Sequence, residues 1–127
     1  KSGEEIRVDD ITPYVHDIQK CDIVIFKTNW SEHYGMPDFF DGFPGISYEA
    51  AQWLSNQDIC LVGVESPSVN AKEHARIHEL FFSKDIMIVE SLCNLKAIRN
   101  KLVAFFAVPL KIKGLDGSPV RAFSIED

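Results

Sequence analysis

Three short apolar runs, separated by segments with helical spacing, most restrict what this chain can fold into. The runs are residues 23–26, 59–64 and 86–89, and each is rich in β-branched side chains, which favour buried strands. Strand, helix, strand, helix, strand with short turns predicts parallel pairing through crossover helices. We therefore expect an α/β fold with a buried mixed sheet and short crossover helices, in which the run 23–26 is the central strand.

The helices between these runs have recognisable start signals. Ser47 is a good N-cap for a helix that reaches residue 56 and turns Ala50, Ala51 and Leu54 inward. Asn70 is placed to cap the next helix, with Glu73 three residues later as in a capping box. Earlier in the chain, Thr12 followed by Pro13 predicts a short helix that ends near residues 19–20.

The last third of the chain predicts two more strands. Residues 103–108 form a β-branched and aromatic run, the turn lies at residues 114–117, and residues 119–123 form an edge strand. In open α/β sheets, ligands sit at the carboxyl ends of the strands. Residues 28–30, Glu65 and Glu90 all follow such ends, so this edge is where we expect a site.

Composition limits the range of partners. The chain has 127 residues and a formal net charge of −6, without a run of Lys or Arg, which argues against a nucleic-acid or anionic membrane surface. No apolar run approaches the roughly 20 residues that cross a bilayer. Three widely spaced cysteines, Cys21, Cys60 and Cys93, indicate reduced and mostly buried thiols, and hence a cytoplasmic protein.

One histidine and one glutamate are candidates for chemistry. His78 lies one helical turn after His74, and Glu90 follows His78 by twelve positions, after the apolar run 86–89. Both residues could simply be solvated surface groups. Alternatively, they converge on one divalent ion, because neutral imidazole and carboxylate suit zinc or manganese. Two ligands do not complete a zinc site, and Ala75 replaces the glutamate of an H-E-x-x-H motif.

The long segment 28–46 carries an unusual number of aromatic side chains. Loops of this length in compact domains are usually functional or mobile. The rings either plug the core or form a binding surface on which a flat aromatic substrate can stack. The candidates for substrate binding are Trp30, Tyr34, Phe39 and Phe40.

Several segments, taken in order, resemble the metal-dependent cyclase family hydrolases that include bacterial kynurenine formamidase. They are residues 22–30, 43–54, 62–64, 78–90 and 109–122, the last of which ends in Ser-Pro-Val-Arg-Ala. The resemblance implies a swivelling β/β/α fold and hydrolysis of amide or lactam bonds, as in N-formylkynurenine or isatin, with zinc or manganese. It also implies that a metal-activated water is the nucleophile.

The resemblance further implies roles for His78 and Glu90. In the family the metal is held by two His and an Asp of an upstream H-x-G-T-H-x-D segment, joined by a later His and Glu twelve residues apart. His78 and Glu90 match that later pair, as metal ligands and catalytic residues, whereas the upstream segment has no counterpart here. We therefore expect residues 1–127 to be the C-terminal portion of a single, partial cyclase-like hydrolase domain. The sequence departs from the family pattern of Gly, Gly, Asp and Asp at Cys21, Asn29, Glu65 and Asn70.

Two functions from different classes follow as hypotheses. The first is an arylformamidase-like enzyme acting on a small aromatic amide, with the proton donor supplied upstream or by His74. The second is a catalytically inactive scaffold that binds a partner or small molecule. In either case we expect a homo-oligomer, a dimer or tetramer, because a partial fold with an exposed strand edge leaves apolar surface to cover.

Overall fold

The computed structural model describes residues 3–126 and distributes its strands among three small sheets. Strands β1 (Glu5–Ile6) and β3 (Gly45–Ile46) form a parallel pair. A parallel three-stranded sheet has the order β2 (Ile23–Phe26), β4 (Leu61–Val64), β5 (Met87–Val89). Strands β6 (Ala104–Pro109) and β7 (Val120–Ile125) form an antiparallel hairpin.

Short helices connect these strands and confirm the predicted α/β class. The α-helices are α1 (Val8–Ile11), α2 (Val15–Ile18), α3 (Tyr48–Leu54) and α4 (His74–Phe82). Single 3-10 turns occur at Thr12–Tyr14, Trp30–His33 and Leu95–Ala97. Helices α3 and α4 are the crossovers from β2 to β4 and from β4 to β5. Within residues 3–126, none of the helices combines the length and hydropathy that crossing a bilayer requires.

Strand β4 is the central strand of the three-stranded sheet, so the prediction that residues 23–26 are central is wrong. All four residues of β2 are only half-buried, whereas residues 62–64 of β4 are buried. The apolar run in β2 has another cause: Ile25 packs against the cluster formed by Val89, Leu92 and Leu95. An uninterrupted apolar run therefore indicates that other side chains pack on both faces of the strand. It does not show whether the strand is central in the sheet.

Helix α3 begins where its sequence predicts and ends at Leu54, two residues before the predicted end. Ser47 Oγ accepts a hydrogen bond from the Ala50 amide at 3.2 Å, which satisfies one of the free donors at the helix start. Ala50, Ala51 and Leu54 are fully buried against β4 and α4 in the main core. The helix predicted from Thr12 is instead a 3-10 turn around Pro13 followed by α2.

Helix α4 begins three residues later than predicted, and its capping box does not form. Asn70 Oδ1 accepts the amides of Lys72 and Glu73 at 2.8 and 2.9 Å, which closes a turn ahead of the helix. Asn70 Nδ2 also donates to the Ile46 carbonyl at 2.9 Å, tying the turn to β3. Gly45 permits this approach, since a Cβ there would lie 2.8 Å from the Asn70 Cα. Tertiary anchoring of Asn70 thus overrides local capping.

The cysteines are free but less buried than predicted. Cys60 and Cys93 are exposed, and only Cys21 is partly covered. The Cys21 thiol donates to the Ile18 carbonyl at 3.2 Å. Burial raises the pKa of the Cys21 thiol above its usual value of 9.0, so this thiol ionises less readily than a free cysteine.

Candidate functional site

His78 and Glu90 meet at the end of strand β5, as the sequence predicted. His78 projects from α4, and Glu90 is the first residue after β5. The Nε2 atom of His78 lies 3.2 Å from the Oε1 atom of Glu90, with both side chains about one-third exposed. Their assignment as metal ligands and catalytic residues stays a prediction at this point.

The backbone of α4 fixes the orientation of the His78 ring. Its Nδ1 atom lies 2.7 Å from the carbonyl oxygen of His74, one helical turn earlier. A carbonyl oxygen only accepts, so Nδ1 carries the proton in this contact and the neutral ring keeps a lone pair on Nε2. This is the tautomer that ligates metals through Nε2. His74 therefore contributes its carbonyl to the site.

The Glu90 carboxylate contains a polar atom without a hydrogen-bond donor. Oε1 is buried and unpartnered, although it faces His78 Nε2. An unsatisfied buried acceptor costs about 1–3 kcal/mol. Two donor atoms that each bind a tetrahedral cation at about 2.0–2.2 Å lie roughly 3.3 Å apart. The observed separation of 3.2 Å therefore fits a shared divalent ion.

The pair opens into a cleft of about 750 Å³ between α4, the segment after β5 and the turn that leads into β7. Phe82 packs edge-on against the His78 ring at 5.6 Å between centroids. Other lining residues are Ser91, Cys93, Ser118 and Arg121. Two further clefts have similar volumes of about 620 and 820 Å³, but neither contains an imidazole facing a carboxylate, so chemistry and not volume singles out this cleft.

Within residues 3–126, no third metal-binding side chain joins the predicted ligands His78 and Glu90. Among residues 3–126, no group of three or more His, Cys, Asp or Glu side chains is arranged to hold a metal ion. Because zinc sites normally use three or four protein ligands, a complete metal site needs donors beyond those of the described residues.

The backbone after Glu90 is held by hydrogen bonds that the sequence did not predict. Ser91 adopts the left-handed conformation, with φ of 57°, and its amide donates to the Ser66 carbonyl at 2.9 Å. The Leu92 amide donates to the Val64 carbonyl at 3.0 Å. These bonds extend the link between β4 and β5 past the end of the strands. A left-handed non-glycine residue is uncommon and is often found at functional sites.

Glu65, which the sequence placed at the same edge, is an internal anchor. It is 2% exposed, and its Oε2 accepts the amides of Thr28 and Asn29 at 2.6 and 2.5 Å. Its Oε1 accepts the Ser31 hydroxyl at 2.7 Å. The carboxylate therefore joins the end of β4 to the start of the aromatic segment. The only sign of this role in the sequence was the position of Glu65 directly after a buried strand.

The four aromatic candidates divide into two buried and two exposed side chains. Trp30 and Phe39, each 4% exposed, form a small core with Phe43, and Trp30 Nε1 donates to the Phe39 carbonyl at 3.0 Å. Tyr34 and Phe40 are 80% and 72% exposed. None of the four lines the cleft of His78 and Glu90. Packing in the core is therefore confirmed for Trp30 and Phe39, whereas substrate binding stays a prediction.

Comparison with known proteins identifies a family and several related sequences. The sequence model of a family described as putative cyclase matches residues 1–71. An uncharacterized protein of Methanocaldococcus jannaschii is 31% identical over 106 residues, which cover 83% of this chain and 54% of the relative. The kynurenine formamidase of Bacillus anthracis is 37% identical over 95 residues, covering 72% and 44%. Cyclase-like protein 2 of Oryza sativa subsp. japonica is 40% identical over 87 residues, covering 66% and 32%.

Solved structures share the fold over nearly all of this chain. A potential metal-dependent hydrolase with cyclase activity has a TM-score of 0.79 and 30% identity, covering 96% of this chain and 58% of its own. Isatin hydrolase A from Ralstonia solanacearum has a TM-score of 0.83 and 23% identity, covering 98% and 54%; at that identity it shows the fold alone. The chain thus spans about a third to just over half of these relatives' length.

Proposed function

This chain belongs to the putative cyclase family, and from that premise we propose that the protein is a hydrolase that cleaves a carbon–nitrogen bond in a small amide or lactam. The observation that carries the proposal is the facing pair of His78 Nε2 and Glu90 Oε1, 3.2 Å apart, with the carboxylate oxygen lacking a donor. Similarity to kynurenine formamidases supports an aromatic amide such as N-formylkynurenine as substrate.

A divalent metal, zinc or manganese, is the cofactor that this pair of donors suits. A similar protein of known structure is described as a potential metal-dependent hydrolase, which supports the same assignment. When bound, such an ion supplies a water activated near neutral pH and polarises the scissile carbonyl. The remaining ligands are proposed to come from residues beyond this chain, because the described residues provide two.

The residues of this chain have separate tasks in the proposed mechanism. The His74 carbonyl accepts a hydrogen bond from Nδ1–H of His78, so that Nε2 faces the cleft with its lone pair free. Glu90 presents Oε1 beside it, at a backbone position fixed by the amides that follow β5. The proton for the leaving nitrogen comes from the His74 imidazole or from a group beyond this chain.

The cleft has the size of a site for a small molecule. A volume of about 750 Å³ lies within the range of roughly 300–1,000 Å³ that is common for ligand pockets. Among the aromatic candidates, Tyr34 and Phe40 have ring faces free to stack on a flat substrate, whereas Trp30 and Phe39 use theirs in the small core. Neither ring lines the cleft of His78 and Glu90, so stacking on Tyr34 and Phe40 would provide a binding surface separate from that cleft.

The test is turnover of N-formylkynurenine by the purified full-length protein, which includes the proposed remaining ligands, together with its zinc and manganese content by mass spectrometry. His78→Ala and Glu90→Ala should each lower kcat/KM by at least about a hundredfold, because loss of a ligand should cost more than the 10–100-fold loss seen for supporting residues. His16→Ala and Glu79→Ala are matched controls, since both side chains are exposed and lie outside the cleft. Undiminished activity in both site variants would remove this mechanism.

A non-catalytic binding protein is the second candidate. It is favoured by the two-ligand count among residues 3–126. Under this alternative, the purified protein contains no stoichiometric metal and does not turn over the amide, yet still binds an aromatic ligand. Stoichiometric zinc or manganese that is lost in His78→Ala would support the hydrolase over the binding protein.

A further inference from the structure

The last residue of helix α4 is a phenylalanine that faces the cleft of His78 and Glu90 instead of the core. Ile77 and Phe81 on the same helix are fully buried in the main core, whereas Phe82 is 51% exposed. Because Phe82 follows His78 by four positions, the two side chains are neighbours on one side of the helix. Core packing therefore accounts for Phe81 and does not account for Phe82.

Apart from the His78 imidazole, Phe82 is the only aromatic ring among the described residues that line this cleft. Of the large hydrophobic side chains that are exposed within residues 3–126, the lining includes two, Phe82 and Val120. The aromatic side chains of the segment 28–46 lie elsewhere. A flat molecule bound in the cleft can therefore stack on one phenylalanine of the described chain.

The Phe82 ring has a defined position beside the proposed metal ligand. Its centroid lies 5.6 Å from that of the His78 ring, and the two planes are inclined by 72°. Edge-to-face aromatic pairs have centroids about 4.5–7 Å apart, so this is a favourable contact. His78 is itself oriented by the hydrogen bond from its Nδ1 atom to the His74 carbonyl. The two rings thus hold each other in place next to the Nε2 atom.

The other lining residues divide into apolar and polar groups. Pro67 and Ile88 are half-buried apolar neighbours from the loop after β4 and from β5, whereas Asp116 and Ser118 belong to the turn that leads into β7. Ligand sites commonly combine apolar surface with a few polar groups that fix orientation. An amide whose carbonyl lies at the facing pair of His78 and Glu90 can remove an apolar substituent from water against Phe82.

We propose that Phe82 is a specificity-determining residue, and that its ring selects amides that carry a flat aromatic group. A flat ring can pack against Phe82 in offset-stacked or edge-to-face geometry, whereas a saturated ring of the same size gains only from the burial of its surface. The role of Phe82 in choosing a substrate rests on the proposed function. The preference of the cleft for a flat ligand does not, because binding requires no turnover.

The experiment compares two formamides with the same scissile bond, N-formylaniline and N-formylcyclohexylamine, on the full-length protein. NMR titration of the metal-free protein gives their dissociation constants, and turnover with zinc gives kcat and KM. The wild type should bind N-formylaniline more tightly than N-formylcyclohexylamine. Phe82→Leu should reduce this preference about two- to tenfold, which is what an aromatic pair typically adds to area burial. In turnover the loss should appear in KM and leave kcat nearly unchanged.

Three further variants separate the ring of Phe82 from general effects. Phe82→Tyr keeps the ring and should keep the preference. Phe106→Leu is the matched control, because Phe106 is a half-exposed phenylalanine that does not line the cleft, and it should also keep the preference. A preference that is lost in Phe40→Leu but kept in Phe82→Leu would place the stacking on the segment 28–46 and overturn the proposal.

The binding and turnover results have different consequences. A wild type that binds N-formylaniline selectively without hydrolysing it would contradict the proposed function and still support the role of Phe82 in binding. A wild type that binds the two formamides equally, or binds neither, overturns the role of Phe82. The same holds for a preference that is unchanged in Phe82→Leu. Leucine keeps an apolar side chain and a high helix propensity at this exposed position, so the variant should fold.

Discussion

The Nε2 atom of His78 and the Oε1 atom of Glu90 lie 3.2 Å apart, yet the carboxylate oxygen has no hydrogen-bond donor. The reason is the neighbouring contact, in which the protonated Nδ1 atom of His78 donates a hydrogen bond to the His74 carbonyl. The neutral ring then has a lone pair on Nε2. Two acceptors therefore face each other. Such an arrangement is unfavourable while the imidazole is neutral and the chain is metal-free, and it becomes favourable with a metal cation between the two atoms or with a second proton on the imidazole.

The first prediction follows from this conflict. In Glu90→Gln, the new amide can donate to His78 Nε2, so the metal-free variant should be more stable than the wild type by about 1 kcal/mol. Chemical denaturation with chelator present, at about pH 8, where imidazoles are generally neutral, measures the difference. Saturating zinc should then stabilise the wild type and have a smaller effect on the variant.

The control for this prediction is Glu79→Gln on helix α4, whose side chain is exposed. It should change neither the metal-free stability nor the response to zinc by more than about 0.5 kcal/mol. A Glu90→Gln protein that is less stable than the wild type without metal would show that Glu90 already has a donor in the folded chain.

Much of this arrangement could be predicted from local sequence. Helix α3 needed only Ser47 and an apolar face, and both appear as predicted. The meeting of His78 with Glu90 followed from a helix ahead of a parallel strand, because the topology brings the helix beside the carboxyl end of that strand. The hairpin followed from two apolar runs around a Gly-containing turn.

The features that could not be predicted depend on contacts distant in sequence. The sequence gives no order for parallel strands, so it could not show that β4 lies between β2 and β5. Asn70 looks like a helix cap until its side chain is seen bound to the Ile46 carbonyl. Glu65 looks like part of a site at the strand ends until four donors from residues 28–31 are seen around it. In each case a partner more than twenty residues away decides the role.

A second prediction concerns Glu65 as an anchor. Glu65→Gln replaces one acceptor oxygen by an NH₂ group, which would face the amides of Thr28 and Asn29 or the Ser31 hydroxyl. Because a buried donor is then left without an acceptor, the free energy of unfolding should fall by about 2–3 kcal/mol. Hydrogen exchange at residues 28–31 should accelerate.

Glu32→Gln is the matched comparison for Glu65. It removes an exposed ion pair between Glu32 and Lys96, and exposed pairs typically contribute about 0–1 kcal/mol. Equal losses of stability in Glu65→Gln and Glu32→Gln would contradict the assignment of Glu65 as an anchor.

A third prediction explains one departure from the family pattern. Asn29 has φ of 61° and ψ of 16°, in the left-handed region, which glycine and asparagine tolerate best. Asn29→Gly, the residue of the family pattern, should alter stability by less than about 0.5 kcal/mol, whereas Asn29→Val should cost about 1–2 kcal/mol. Thermal and denaturant unfolding of the two variants provide the comparison. A valine variant as stable as the glycine variant would count against this explanation.

The fourth prediction is a pH dependence at the end of the hairpin. The amides of Asn100 and Arg99 donate to Glu126 Oε1 at 2.6 and 2.9 Å, and these bonds lower the pKa of the Glu126 carboxyl below its usual 4.5. A carboxyl whose pKa is lower in the folded state contributes stability above its unfolded pKa and loses it as the pH falls through the folded value. The wild type should therefore lose stability in acid more steeply than Glu126→Gln.

The measurement for Glu126 is the free energy of unfolding of both proteins between about pH 7 and pH 3, which spans the ordinary pKa of a glutamate. The two curves should be furthest apart near neutral pH, with the variant less stable, and should converge in acid once Glu126 is protonated. Glu79→Gln changes another exposed glutamate, is the control, and should give a curve parallel to the wild type. Curves for Glu126→Gln and the wild type that stay parallel down to the lowest pH would mean that the carboxylate does not hold residues 99–100 in solution. The hairpin would then rely on the packing of Phe105, Ala107 and Ala122 against the cluster of Val89, Leu92 and Leu95.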